Sequence, residues 1–268
     1  MGAETSVAVS SWELFVGMEC SACMSQTSHA VLIFGATGGV GAALARRLAS
    51  SGTPLFLTAR REEPLAALAA ELGAGFAVSD ATDWTDIDRV ADLARAHYGT
   101  IGGMANCVGS LILKPAHLTK FEEFQHTIAQ NLTSAFGVVR AAARVMPEGG
   151  AVVLCSTAAS RIGLSNHEAI AAAKGGVNGL VLSAAATYAS RGLRVNAVAP
   201  GLVETPLTAR ITGSAPAVQA SQAMHALGRI GQPDDVASLM AWLLGPDATW
   251  VTGQLYGVDG GLGTVRSK

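Results

Sequence analysis

Charged side chains are scarce in this chain. Only 14% of its 268 residues are Asp, Glu, Lys or Arg, and the formal net charge is −2 at pH 7. No cluster of Lys and Arg offers the positive surface that a nucleic acid or an anionic membrane requires. No apolar run reaches the roughly 18 uninterrupted residues typical of a membrane-spanning helix. We therefore expect neither a nucleic acid nor a membrane as a partner.

Cysteine is also scarce, with four residues in the chain. Cys20 and Cys23 form a Cys-x-x-Cys pair, but no second Cys/His pair lies nearby at metal-ligand spacing, which favours an incidental pair over a redox motif or half of a zinc site. Cys107 and Cys155 lie in apolar segments and are expected to be small buried hydrophobic residues. The pattern predicts a cytoplasmic protein without a metal site.

The first 28 residues differ from the rest of the chain. They contain neither a basic start nor a long apolar core, so a secretory signal peptide is not expected. Met24 offers a natural start just before the first apolar strand, which makes residues 1–23 an appended segment. We expect residues 1–28 to be a loosely ordered N-terminal extension and residues 29–268 to be the folded domain.

From residue 29 onward, short apolar runs alternate with amphipathic or Ala-rich segments. Continuous apolar strands separated by helices indicate a parallel sheet that is covered on both faces. Because no repeat or linker divides this region, we predict one doubly wound, Rossmann-type α/β domain with six to seven strands. Strands are predicted near 30–34, 54–58, 75–79, 102–107, 151–155, 194–198 and 254–258, and helices near 39–51, 63–72, 85–98, 121–146, 168–190 and 233–244.

A glycine-rich turn follows the first predicted strand, Val31–Phe34, and leads into a segment with helical apolar spacing. Glycines let the backbone turn tightly and approach a ligand closely, while the next helix presents unpaired N–H groups to a phosphate. A glycine pattern alone would suit any flexible turn, but the strand before it and the helix after it favour a dinucleotide site. The residues expected to contact the cofactor here are Gly35, Thr37, Gly39, Val40 and Gly41.

The end of the second predicted strand bears on the choice of nucleotide. An enzyme that prefers NAD usually places a carboxylate here to hold the ribose hydroxyls, but this chain has Ala59 followed by Arg60 and Arg61. Arg60 is suited to bind a 2′-phosphate through charge-assisted hydrogen bonds. The alternative is two solvated arginines paired with Glu62 and Glu63. We expect NADP(H) to be preferred, with NAD(H) possible.

Ligands of doubly wound sheets bind at the carboxyl ends of the strands, which directs attention to the residues after each later strand. Asp80, followed by Ala81, is placed to accept a hydrogen bond from the adenine amino group. Ser156 and Thr157 follow the fifth strand, where a hydroxyl can bond a substrate carbonyl. Further residues expected near the nucleotide are Asn106, Gly109, Pro200, Gly201, Val203 and Thr205.

Taken in order, these landmarks resemble the short-chain dehydrogenase/reductase family over residues 30 to about 262. Phe34 stands where the family's glycine-rich turn often begins with Thr, and Asn106–Gly109 resembles its Asn-Asn-Ala-Gly motif with two positions altered. Val258–Gly261 resembles its closing signature. The resemblance implies that Asn131 organises a proton relay, that Ser156 orients the substrate, and that residues 200–205 contact the nicotinamide. It also implies a homodimer or homotetramer, paired across the 121–146 and 168–190 helices.

One position departs from the family's catalytic Tyr-x-x-x-Lys signature, which begins about 13 residues after the serine. Here Ile170 stands four residues before Lys174, and the chain's tyrosines, Tyr98, Tyr188 and Tyr256, do not align with that position. In the family the tyrosine donates a proton while the lysine lowers its pKa. Loss of a positioned general acid typically slows a reaction by about 10²–10⁴-fold. Lys174 is still expected to bind the nicotinamide ribose.

Several nearby groups are candidates for a replacement proton donor. His167 lies at the entry to the helix and belongs to the residue type that titrates near neutrality. Glu168 follows it, although a glutamate in a first helical turn is equally explained by the helix dipole. Ser156, Lys174 and a water held by Asn131 form the alternative route. The catalytic candidates are therefore Ser156, Lys174, Asn131 and His167.

Three functions remain in competition. The first is an NADP(H)-dependent oxidoreductase that interconverts a carbonyl and a secondary alcohol with an unconventional proton donor. The second is a dinucleotide-binding protein without turnover, serving as a sensor or a supporting subunit. The third is a lyase or isomerase that uses the same pocket. The first is favoured because the other features of the site are intact, and substrate choice is assigned to the loops at 109–118 and 206–226.

Overall fold

The computed structural model describes residues 29–265, so the extension predicted for residues 1–28 lies outside the described residues. Seven parallel strands form one sheet in the order β3-β2-β1-β4-β5-β6-β7. This confirms the prediction of a single doubly wound domain. The strands are β1 (Ala30–Phe34), β2 (Leu55–Ala59), β3 (Gly75–Val78), β4 (Ile101–Asn106), β5 (Gly150–Cys155), β6 (Leu193–Pro200) and β7 (Leu255–Val258).

Helices cover both faces of the sheet. The apolar side chains of each strand alternate between two buried clusters, one beneath α1, α2 and α9 and the other beneath α3, α5 and α6. Burial on both faces explains why the strands are apolar throughout instead of alternating. The helices are α1 (Gly39–Ser50), α2 (Glu62–Leu72), α3 (Trp84–Tyr98), α4 (Phe121–Ile128), α5 (Ser134–Val145), α6 (Glu168–Tyr188), α7 (Ala209–Thr212), α8 (Ala215–Met224) and α9 (Pro233–Leu244).

The strand order reverses between β1 and β4. Strands β2 and β3 lie on one side of β1, whereas β4 to β7 continue on the other side. Connections leaving β1 and β4 therefore diverge, which opens a crevice at the carboxyl edge of the sheet. The register is continuous there, with Phe34 of β1 opposite Thr58 of β2 and Asn106 of β4.

The segment predicted as one helix over 121–146 is interrupted. Residues Ala129–Thr133 form a π-helical turn between α4 and α5. Apolar periodicity did not reveal this turn, because one inserted residue shifts the helical pattern only locally. Such turns are frequent at functional sites, and this one contains Asn131.

The longest helix, α6, lies against the sheet and against α5. Together with the turn after it, the segment Glu168–Arg191 is long and apolar enough to pass a composition test for membrane-spanning helices. Buried core helices pass the same test, and residues such as Val177 and Val181 of α6 pack into the core beneath the sheet. The packing therefore accounts for the apolar composition of this helix.

Candidate active site

The glycine-rich turn between β1 and α1 has no room for side chains. Gly35 has a φ of +74°, and a Cβ there would lie 2.9 Å from the backbone of Cys107 and Val108. A Cβ on Gly41 would lie 2.3 Å from the carbonyl oxygen of Gly35. Gly39 faces the side chain of Thr205, 2.7 Å from the position its own Cβ would take. The three glycines thus pack the first helix closely against β1, β4 and the loop after β6.

The N-terminus of α1 lacks a side-chain cap. Its N-cap residue is Gly38, and the first helical hydrogen bond is donated by the amide of Ala42 to the carbonyl of Gly38, at 2.8 Å. The amides of the turn before Ala42 are the unsatisfied donors of a helix N-terminus, where the helix dipole favours an anion. A side-chain-free turn of this kind fits the pyrophosphate of a dinucleotide.

The residues predicted to bind the adenosine lie beyond this turn. Arg60 is exposed directly after β2, and among ion pairs between residues 29–265 none joins it or Arg61 to Glu62 or Glu63. Asp80 accepts hydrogen bonds from the backbone and hydroxyl of Thr82, at 2.9 and 2.8 Å. The backbone bond lowers the pKa of Asp80 most, and the positive charge of Arg60 contributes.

Ala81 is buried beside Asp80, and Asn106 is buried at the end of β4. Asn106 donates a hydrogen bond to the hydroxyl of Ser134 and accepts one from the amide of Val108, each at 3.1 Å. These contacts hold the segment that leads from β4 to Gly109. Asn106 therefore shapes the backbone of the crevice instead of lining it.

A cleft of about 660 Å³ lies at the carboxyl ends of β4, β5 and β6. Apolar side chains dominate its wall, including those of the loop after β4 and of α7 and α8. It gathers most residues predicted for the nicotinamide end and the chemistry. These are Val40, Gly109, Asn131, Ser156, His167, Lys174, Pro200, Gly201, Val203 and Thr205. The remaining predicted residues, Gly35, Thr37, Gly39, Gly41, Arg60, Asp80, Ala81 and Asn106, lie outside its lining.

The π-helical turn holds Asn131 in a fixed orientation. Its side-chain amide donates to the carbonyl of Thr127 at 2.9 Å and to the hydroxyl of Ser110 at 3.0 Å. Its Oδ1 accepts a long bond, 3.4 Å, from the amide of Ser110. A Cβ on Gly109 would lie 3.0 Å from this Oδ1 and 3.8 Å from Nζ of Lys174. Asn131 and Lys174 therefore converge beside Gly109.

Lys174 is 6% exposed and reaches the cleft from α6. Its Nζ donates a hydrogen bond to the carbonyl oxygen of Cys155 at 2.6 Å. Burial lowers the pKa of this amine. Ile170, one helical turn earlier and 4% exposed, lines the cleft on the same face of α6. The cleft thus has a cationic group beside a hydrocarbon wall.

His167 precedes α6 and lines the cleft while partly exposed. Its Nδ1 lies 2.8 Å from the carbonyl oxygen of Ser165, an arrangement in which Nδ1 donates and Nε2 remains for other partners. Glu168 accepts a long bond, 3.4 Å, from the backbone amide of Ala116. Glu168 thus joins the helix to the 109–118 loop and lies outside the lining of the cleft.

The lid segment is joined to the loop after β6 by His225. This histidine is 3% exposed, and its Nδ1 lies 2.6 Å from the carbonyl oxygen of Ser221. Its Nε2 accepts a hydrogen bond from the amide of Leu202 at 3.2 Å. Both ring nitrogens are therefore occupied, and His225 anchors α8 above the cleft.

The comparisons with known proteins agree with this architecture. A family model described as enoyl-(acyl carrier protein) reductase matches residues 35–263. The chain is 34% identical to 3beta-hydroxysteroid dehydrogenase 1 of Eggerthella lenta, over 87% of this chain and 92% of that protein. It is also 34% identical to cis-4-hydroxycyclohexanecarboxylate dehydrogenase of Sinomonas cyclohexanicum, over 87% of this chain and 96% of that protein.

A solved structure of an actinorhodin polyketide ketoreductase variant with NADPH superimposes with a TM-score of 0.85. That protein is 29% identical to this one, and the match covers 90% of this chain and 99% of the ketoreductase. The chain belongs to the short-chain dehydrogenase/reductase family. The named relatives are dehydrogenases or reductases, so the family relationship supports an oxidoreductase of alcohols and ketones.

Within this family member, the two hydroxyls after β5 point to different partners. Ser156 donates to Oδ1 of Asn178 at 2.6 Å, and its oxygen lies 3.1 Å from that of Ser160. The next hydroxyl, on Thr157, has only contacts at the limit of hydrogen-bond range, at 3.4 and 3.5 Å. Our sequence interpretation favoured Ser156 and passed over Thr157.

A spacing signal for Thr157 was present in the sequence. Thr157 precedes Ile170 by 13 residues and Ser156 precedes it by 14. The family spacing of about 13 residues did not discriminate between neighbours when only the residue type, serine, was matched. Side-chain direction alternates along an extended chain, so a shift of one residue changes which face the hydroxyl occupies.

The hydrogen bonds of Ser156 predict a structural cost for its removal. Ser156→Ala leaves Oδ1 of Asn178 without its donor in a nearly buried environment, so we expect a loss of about 1–3 kcal/mol in the free energy of unfolding. Thr157→Ala, the matched control, should change it by less than about 1 kcal/mol. Urea denaturation of both variants measures the difference. Equal losses would contradict the distinction between the two hydroxyls.

Proposed function

We propose that this chain is an NADP(H)-dependent oxidoreductase that interconverts a carbonyl compound and a secondary alcohol with a proton donor other than tyrosine. The observation that carries the proposal is the convergence of Asn131, Thr157 and Lys174 on one cleft at the carboxyl edge of the sheet. The relatives named as dehydrogenases, and the ketoreductase solved with NADPH, support the reaction class.

The fit of a nicotinamide dinucleotide rests on the glycine turn. The amides at the start of α1 hold the pyrophosphate, and the Pro200–Thr205 loop binds the nicotinamide end. When bound, the cofactor supplies the hydride. Lys174 donates hydrogen bonds to the ribose from the floor of the cleft, since only one of its three N–H groups is engaged, by Cys155.

The preference for NADP(H) rests on the end of β2. Ala59 offers no carboxylate to a ribose hydroxyl, and the exposed guanidinium of Arg60 follows it. The effect of Arg60 on the pKa of Asp80 places its charge near the end of β3, beside the proposed adenosine site. A guanidinium in this position favours a 2′-phosphate over a hydroxyl.

Removal of Arg60 should therefore change the nucleotide preference. Arg60→Ala should weaken NADPH binding by about tenfold or more, because charge-assisted hydrogen bonds contribute roughly 1.5–3 kcal/mol, and leave NADH binding nearly unchanged. Arg61→Ala is the neighbouring control. Fluorescence titration with both nucleotides measures the effect. Equal weakening of NADPH and NADH would defeat the assignment of the 2′-phosphate.

Thr157 is the hydroxyl proposed to orient the substrate carbonyl. Ser156 gives its only proton to Asn178, whereas the bond from Thr157 to the carbonyl of Pro200 is 3.5 Å long and weak. Ser156 then acts as a positioning residue that fixes the end of β5 against α6. Asn131 holds its π-helical turn and the Gly109 backbone beside the cleft.

The proton donor is proposed to be His167. The cleft contains Ile170 where a family tyrosine is expected, and Tyr98, Tyr188 and Tyr256, all within residues 29–265, lie outside its lining. His225, the other histidine of the lining, uses both ring nitrogens. His167 keeps Nε2 for a proton that passes to the carbonyl oxygen during reduction, and takes it back during alcohol oxidation.

A homodimer or homotetramer is proposed through the outer surfaces of α4, α5 and α6. Phe121, Phe136 and Leu182 are 68%, 47% and 63% exposed on these helices. Gly175 and Gly179 of α6 have open space where a Cβ would stand, which permits close approach of a second helix.

A screen of carbonyl substrates with NADPH, followed by nicotinamide absorbance, tests the proposed reaction. NADPH oxidation with formation of the alcohol supports it. Binding without turnover would favour a silent dinucleotide-binding protein instead, for which Ile170 is the supporting observation. Product without a change in absorbance would favour a lyase or isomerase.

The donor assignment makes a sharper prediction. His167→Gln should lower kcat for ketone reduction by about 10²–10⁴-fold without changing NADPH binding, and Ile170→Tyr in that background should restore activity by supplying a phenol beside Lys174. His117→Gln, outside the lining of the cleft, is the matched control. Full activity of His167→Gln would place the donor elsewhere, at Lys174 or a water held by Asn131.

A further inference from the structure

Two thiols lie side by side at the floor of the cleft. Strands β4 and β5 pair in parallel with Asn106 opposite Leu154, so the next residues, Cys107 and Cys155, face each other across the sheet. The amide of Cys107 still donates to Phe34 of β1 at 2.9 Å, which shows that the ladder extends this far. Both side chains pack against the same apolar cluster, beneath α1 and α9.

The two sulfur atoms are in direct contact. The Cys107 thiol is hydrogen-bonded to the Cys155 sulfur. On the core side, Cys155 Sγ lies 3.9 Å from the thioether of Met240. Both cysteines are half-buried and line the cleft, so our expectation of fully buried hydrophobic residues was wrong. A small molecule that enters the cleft reaches both thiols.

The surroundings of the pair distinguish its members. The hydrogen bond from Cys107 lowers the pKa of the Cys155 thiol, and the charge of Lys174 acts in the same direction. The same hydrogen bond, together with burial, raises the pKa of the Cys107 thiol. Because the thiolate is the reactive form of cysteine, Cys155 is the nucleophile of the pair and Cys107 its proton-bearing neighbour.

We infer that Cys107 and Cys155 form an oxidisable dithiol that takes a hydroperoxide as its oxidant and closes to a disulfide across β4 and β5. The Cys155 thiolate attacks one peroxide oxygen, the O–O bond breaks, and after protonation the products are a sulfenic acid and water, or an alcohol from an organic hydroperoxide. The Cys107 thiol then attacks the sulfenic sulfur, the S–O bond breaks, and a second water leaves with the proton. Two thiols lose two electrons, which the peroxide accepts.

This modification is independent of the proposed function and is tested on the protein without nucleotide. In the full chain with Cys20→Ser and Cys23→Ser, Cys107 and Cys155 are the only cysteines. Treatment with hydrogen peroxide should lower the free thiols from two to zero per chain. Mass spectrometry should find the loss of two hydrogen atoms and a cross-linked peptide containing both cysteines, and dithiothreitol should reverse the change.

Single variants in the same background separate the two roles. With Cys107→Ser, Cys155 should stop at a sulfenic acid that dimedone traps. With Cys155→Ser, oxidation of Cys107 should be slower by about tenfold or more, because its thiol is protonated and buried. Circular dichroism verifies that each variant is folded, and Cys→Ala variants replace any that are not.

Two free thiols after prolonged exposure would overturn the inference. So would a disulfide found only between chains, or equal oxidation rates of the two single variants. NADPH gives a separate comparison: if the nucleotide occupies the cleft as proposed, it should slow the oxidation. Closure of the disulfide without such protection would count against the cofactor site and leave the dithiol established.

Discussion

The amides at the start of α1 are the feature on which the rest of the site depends. They face the crevice where the strand order reverses, and the absence of a side-chain cap leaves them as donors toward it. This arrangement requires α1 to approach β1 within the distance that Gly41 and Gly35 allow. The contact between Gly39 and Thr205 then fixes the loop after β6 relative to the same turn. One close backbone approach therefore positions both ends of the proposed cofactor site.

The chemical half of the site depends on burial. Lys174 is held in a nearly dry position with a backbone carbonyl as its hydrogen-bond partner, which lowers its pKa and keeps its remaining protons directed at whatever enters the cleft. The π-helical turn brings Asn131 to the same place. Replacement of a phenol by Ile170 makes the wall apolar without disturbing these two contacts. The proposed dithiol shares this environment, because the charge of Lys174 also acts on Cys155.

Much of the fold was predictable because burial on both faces leaves a strong signal in the strands. The runs of β1 and β5 are apolar at nearly every position, and the glycine turn marks the first βα connection. Features that depend on a single residue of register were not predictable. The choice between Ser156 and Thr157 depends on which face of the chain each hydroxyl occupies. The pairing of Cys107 with Cys155 requires the register of two strands that are about 50 residues apart in the chain. The π-helical turn likewise leaves no pattern in an otherwise helical segment.

The most direct test of the account is an amide ¹H–¹⁵N spectrum of the full chain during titration with NADPH. We predict that the amides of Gly39, Val40 and Gly41 shift strongly and saturate at one nucleotide per chain, because the pyrophosphate accepts their hydrogen bonds. Unchanged resonances at these positions under saturating NADPH would contradict the central claim.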